Sequence, residues 1–144
     1  MSDYTITAKA ALGTAIAAVS GFLGGMDGVM YALIACISID YVTGVASAAK
    51  QKKLSSETGF WGLVRKVCIL ALVGVANMID VNVIGNGDVF RTAVAAYYIG
   101  NEGISLLENI GSLGVQLPPK LIEVLIQIRG KGDSDEHSEE NRDH

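Results

Sequence analysis

Ionisable side chains inside long apolar runs constrain this chain more than any other feature. Asp40 lies within residues 28–49, Asp80 within 67–85, and Glu102 and Glu108 within 89–110. Such runs are close to the ~20 apolar residues a helix needs to cross a bilayer. A water-soluble core rarely holds unpaired carboxylates. Membrane proteins keep them where helices pack together or line a watery path. The pattern predicts an all-α, small polytopic membrane protein of about four transmembrane helices that work by associating.

Charge distribution sharpens this reading. Residues 129–144 carry six acids and three bases, most of the net charge of −4, so the body of the chain is nearly neutral. No basic face suggests nucleic acid. Cys36 and Cys68 each sit alone in an apolar run and read as small buried hydrophobes. His137 and His144 fall in the polar tail. No nucleophile motif, phosphate loop or metal-ligand spacing is present, so the expectation is a protein that is not an enzyme and uses no cofactor or metal.

The first apolar run, 10–26, approaches span length when residues 6–8 are added. Its N-terminal flank is too weakly charged for a cleaved signal peptide. Gly13, Ala17, Gly21 and Gly25 recur every fourth residue, which would put four small side chains on one helix face. In lipid such a stripe lets another backbone come close. If this run does not cross, three spans remain. Asp27 with Gly24, Gly25 and Gly28 marks a tight turn. In the second run Asp40, Gly44 and Ala48 are spaced by four, with Thr43 and Ser47 on the same side.

Residues 50–66 hold Lys50, Lys52, Lys53, Arg65 and Lys66 against one acid, Glu57. The positive-inside rule makes this a cytoplasmic basic loop. Ser55 or Ser56 suits a helix cap there, and Phe60 and Trp61 suit the membrane interface. The turn at 86–88 carries no base, as expected outside. Asp80 and Arg91 flank it and are expected to pair. In the fourth run Tyr98, Asn101, Glu102, Ser105, Glu108, Asn109 and Ser112 fall at steps of three and four, one polar face on an amphipathic helix. Residues 114–119 break the helix. A short helix over 120–128, begun by Pro118 and Pro119, reads as interfacial or as a packing helix. Residues 129–144 read as a disordered charged cytoplasmic tail, which leaves residues 1–128 as the membrane domain. With four spans both termini are cytoplasmic.

Depth links two of the acids. Asp40 precedes the end of its run by ~14 Å and Glu102 precedes Ser112 by ~15 Å, so they share a level. Tyr98, Asn101 or Thr43 could hydrogen-bond them, or one could carry a proton. Each acid is either an anchor within one subunit or part of a polar face that meets other copies and lines a pore. One chain offers little to cover Glu102, Glu108 and Asn109 together, which favours the oligomer.

The chain resembles the phage-lysis and toxin-secretion holin family. The resemblance rests on Ile39-Asp40-Tyr41-Val42-Thr43-Gly44, Lys52-Lys53-Leu54-Ser55-Ser56 with Gly59, Gly62 and Lys66, Arg91-Thr92-Ala93, Tyr98-Ile99-Gly100-Asn101-Glu102-Gly103-Ile104-Ser105 and Leu107-Glu108-Asn109. Gly114, Pro118, Pro119 and Leu121 complete it. It implies a protein that accumulates in the bacterial host's cytoplasmic membrane and forms homo-oligomeric lesions. These release a wall-degrading endolysin, or toxins in some relatives, with no direct contact needed between the partners. Holin tails are often basic, whereas this one is mainly acidic. A small proton-coupled transporter using Glu102 or Asp40, and an antiholin-type regulator of a pore former, are the competing readings.

Overall fold

The computed structural model describes residues 2–85 and 87–140. Five helices follow one another: α1 (Ser2–Phe22), α2 (Gly28–Lys50), α3 (Ser56–Ile79), α4 (Val89–Ser112) and α5 (Pro119–Glu140). A wide π-type turn, Asp80–Ile84, ends α3. Three helical segments are long and apolar enough to cross a membrane by length and composition: Asp3–Phe22, Gly28–Lys50 and Ser56–Ile84. The sequence predicts a fourth in α4, whose polar face leaves it too low in mean hydropathy to join that set.

Local chemistry sets the boundaries. The Asp27 carboxylate accepts from the Met30 backbone N–H at 2.9 Å and starts α2. Ser55 does the same for α3, accepting from Thr58 at 3.1 Å. The start of α4 is capped from a distance: Asp80, and not the adjacent Asp88, satisfies its first N–H groups. Gly85 closes the π-type turn with φ +74°, a conformation that favours glycine.

The core lies between α2, α3 and α4, with Met30, Leu33, Ile69, Val73 and Ala95 at its centre and Leu23 closing it from the α1 end. Asp27 meets Arg91, Asp40 meets Asn109, and Ser47 meets Ser112, so α2 and α4 run side by side in the same direction. Antiparallel α3 lies against both.

Several expectations change here. The basic segment 50–66 is not one loop: only residues 51–55 separate α2 from α3, so Arg65 and Lys66 sit on a helix. The Ser55 cap ends the loop well before the charges do. Gly25 leaves the small-residue stripe, because α1 stops at Phe22 and Gly25 lies in the following turn with φ +91°. Gly13 and Gly21 remain on α1 with nothing near the position of an added Cβ. Near the end of α1 the Phe22 ring occupies the space a Gly74 side chain would need, and Ala15, Ile16, Val19 and Ser20 line an apolar hollow with Ile34 and Leu70. Cys68 is exposed and Cys36 only half-buried, since neither faces the centre of the core.

The C-terminal helix is neither short nor purely interfacial. It packs along α4, with Leu125 against Gly103, and its backbone stays helical to Glu140. Residues 141–144 of the expected tail lie outside the described residues.

Candidate functional site

Two clusters of buried charge flank the apolar core. At the end near the 24–28 turn, Arg91 is 1 % exposed. Its Nε donates to the Leu23 carbonyl at 2.6 Å, one terminal nitrogen donates to Asp27 at 2.7 Å, and the other to the Gly25 carbonyl at 3.1 Å. This packing requires Gly24, whose φ is +82° and where a Cβ would run into the Asn77 amide and the Arg91 side chain. Asn77 in turn donates to the Phe22 carbonyl at 3.1 Å. One guanidinium thereby ties the end of α1 and the start of α2 to α4.

Asp80 and Arg91 do meet, but not as the sequence suggests. The fully buried Asp80 carboxylate accepts the backbone N–H groups of Phe90 at 3.1 Å and Arg91 at 2.7 Å. The Arg91 side chain turns away to Asp27. A carboxylate at a helix start is held by orphan N–H groups and the positive end of the helix dipole. The guanidinium and a backbone N–H hold the Asp27 carboxyl at about 2, below its usual 3.8.

At the other end Lys66 lies between two carboxylates and is hydrogen-bonded to both, Asp40 from α2 and Glu102 from α4. The three side chains are 13 %, 6 % and 9 % exposed. Asn109 adds a neutral clamp: its Nδ2 donates to the Asp40 carboxylate at 3.0 Å, to the Asp40 carbonyl at 3.2 Å and to Thr43 Oγ1 at 3.3 Å. Gly44 faces Asn109, with the amide nitrogen 3.4 Å from the position of an added Cβ. Further along, Ser47 and Ser112 share a hydrogen bond of 2.5 Å and Lys50 donates to the Ser112 carbonyl at 3.0 Å.

Lys66 is the residue that sequence reasoning assigned elsewhere, to the basic loop. Its signal was present: it lies ten positions into α3, ~15 Å from the helix start, at the level already derived for Asp40 and Glu102. Of the three polar residues expected to lack cover in one chain, Glu102 and Asn109 are covered by α2 and α3, and Glu108 is not. Glu108 is exposed and Ser105 and Asn101 are half-buried. Tyr98 packs beside the apolar core, its ring 5.2 Å from that of Tyr97.

A cavity of about 400 Å³ adjoins the Lys66 cluster and opens toward the 51–55 turn. Its walls include Asp40, Lys66, Glu102, Ser105 and Asn109 on the cluster side and Lys53, Ser55, Thr58 and Arg65 on the turn side. The cluster thus borders an open space lined by charged, polar and apolar groups, while the Arg91 guanidinium is enclosed chiefly by backbone, with the exposed Asp27 at its outer edge. Among the described residues no group of His, Cys, Asp and Glu is arranged to hold a metal ion.

The residues that build both clusters, from Asp27 to Asn109, fall inside a match to the bacteriophage holin family over residues 17–130. The chain belongs to the bacteriophage holin family. It is 39% identical over 103 residues to a protein of Bacillus phage phi105 named "probable holin", covering 72% of this chain and 74% of that one. It is 43% identical over 109 residues to an uncharacterized 14.9 kDa protein of Clostridium perfringens, with 75% and 82% covered. A Listeria innocua protein is 35% identical over 128 residues, with 88% and 91% covered. No solved structure matches the chain. Holin membership and three span-capable helices make this a membrane protein.

Proposed function

We propose that the chain acts as a holin without catalysing a reaction. Copies collect in the host cytoplasmic membrane, oligomerise and open lesions through which an endolysin, or a toxin, leaves the cell. The observation that carries this reading is the Lys66 cluster in a chain of the holin family. Asp40, Lys66, Glu102 and Asn109 hold α2, α3 and α4 together in the closed protomer, yet they border an open cavity. Buried charges this close to a space that can take up water are able to exchange protein partners for water. In an oligomer the same polar face of α2 and α4 would then line a wet lesion.

Four spans fit this reading. Helix α4 runs alongside α2 in the same direction, and its Arg91 and Glu102 have partners, so its charges do not forbid a membrane position. The basic turn then faces the cytoplasm and both termini lie there. Only the apolar part of α5, residues 121–128, is suited to lie against α4 in lipid; the acidic residues beyond it belong in water as a cytoplasmic tail. The small-residue face of α1, which has no neighbour in the protomer, is suited to contact between copies.

Inducible expression with and without a cytoplasmic endolysin tests the function. Rapid lysis only when both are present is expected. Substrate-dependent flux without killing would instead identify a transporter, and protection of a separate pore former an antiholin.

A further inference from the structure

The holin reading uses the cluster side of the cavity and leaves its other side without a role. We propose that this side is a binding site for a phosphate-bearing anion, filled in the membrane by the headgroup of an anionic phospholipid. The proposal needs the chain to be in a membrane but does not depend on lesion formation.

Lys66 is committed to Asp40 and Glu102. Two further cations on the cavity wall, Lys53 and Arg65, are exposed and make no ion pair among the described residues. They flank the first turn of α3, where the Ser55 and Thr58 hydroxyls are hydrogen-bonded to each other at 2.8 Å and Ser55 also accepts the Thr58 backbone N–H. Gly59 and Gly62 line the wall beside Tyr41, its hydroxyl next to Gly59 and its ring next to Gly62. Two cations beside the positive end of a helix, with the one hydroxyl hydrogen that the Ser55–Thr58 pair leaves over, suit a phosphodiester, which has one negative charge and several acceptor oxygens. An arginine can grip it with two parallel N–H groups.

Depth selects the lipid. Phe60 and Trp61 are exposed on α3 as an edge-to-face pair, the residue types that mark the headgroup level. Arg65 lies four residues further in, ~6 Å deeper, within the reach of a snorkelling side chain. Lys53 lies on the water side. A headgroup at the level of Trp61 would therefore sit between the two cations.

Trp61 is the chain's one tryptophan and serves as the probe. The full chain is reconstituted in phosphatidylcholine vesicles with a minor fraction of phosphatidylglycerol, one lipid or the other carrying brominated chains. At equal mole fraction, brominated phosphatidylglycerol should quench Trp61 several-fold more strongly than brominated phosphatidylcholine. The Lys53→Gln/Arg65→Gln double variant should abolish the preference with helical circular dichroism unchanged, and Arg65→Lys should reduce it. Lys52→Gln, in the same turn but off the cavity wall, should leave it intact. Inorganic phosphate, titrated in neutral detergent, separates the sources. A Trp61 response that needs Lys53 and Arg65, without any lipid preference, would overturn the lipid assignment in favour of free phosphate. A preference lost equally in Lys52→Gln would reduce the site to general attraction by a basic turn. Equal quenching by both lipids with no response to phosphate would remove the site.

Discussion

Arg91 and Lys66 sit at opposite ends of one three-helix core, and their surroundings differ in kind. Arg91 is enclosed: two backbone carbonyls and the Asp27 carboxylate take its N–H groups, and Asp80 separately takes the backbone N–H. Lys66 has only side-chain partners, two carboxylates, beside an open cavity. Backbone partners cannot leave without unfolding a helix end. Side-chain partners can rotate away and take water instead. On the function proposed above, a protomer must be stable and still convert, and the contrast would divide those demands: the Arg91 clasp would fix the protomer and the Lys66 cluster would be the part able to change.

The sharpest way to break this contrast is Arg91→Met. It leaves the Leu23 and Gly25 carbonyls without their donor and the partly exposed Asp27 carboxylate without its partner; each buried acceptor left unpaired costs ~1–3 kcal/mol. The variant should accumulate poorly in the membrane and melt far below wild type in mild detergent. A near-normal melt would mean that the clasp is not structural.

Lys66→Met should have the next largest effect. It leaves the largely buried Asp40 and Glu102 carboxylates facing each other; with the adjoining cavity open to rehydrate them, the loss should be on the order of 2 kcal/mol, that of buried groups left without a protein partner. Adding Glu102→Gln should restore part of it, because the two sites are coupled. Detergent melts of the singles and the double measure this coupling. Equal losses for Arg91→Met and Lys66→Met would erase the distinction between the two ends.

The smallest effect expected is the pH response of Asp27. Its carboxyl is held at about 2 in the folded chain against the usual 3.8, chiefly by hydrogen bonds from Arg91 and then Met30. A depressed carboxyl contributes its full stability above the unfolded value and loses it as pH falls toward the folded one. The Asp27-dependent part of the melting temperature, read as wild type minus Asp27→Asn, should be flat above about pH 4 and decline from there toward about pH 2. A decline beginning near neutrality would show that Asp27 does not carry the clasp.

Much of this architecture was legible in the sequence. Asp27 with its glycines announced the start of α2, Ser55 the start of α3, and the polar steps from Tyr98 to Ser112 the amphipathic α4. These are local signals, fixed by capping and periodicity within a few residues. Lys66 was missed because charge was counted across the Ser55 cap, which merged a helical residue with the turn before it. Asp80 and Arg91 were rightly brought together, yet sequence carries no sign of whether a carboxylate takes a side chain or a backbone N–H. The course of α5 was missed for a related reason. Its packing depends on Gly103 in another helix, and the charge after Lys131 reads as unfolded when seen alone.

Glu102 offers the most direct test of the claim that the Lys66 cluster is the part that converts. Lysis timing is measured with a cytoplasmic endolysin, at matched membrane levels, for wild type, Glu102→Gln and Glu102→Leu. Both variants keep a neutral Lys66–Asp40 pair and should insert normally. The glutamine keeps a hydrogen-bonding group for a wet face and should delay lysis. The leucine removes it and should abolish lysis. Wild-type timing in Glu102→Leu would contradict the account and return Glu102 to the role of a packing anchor.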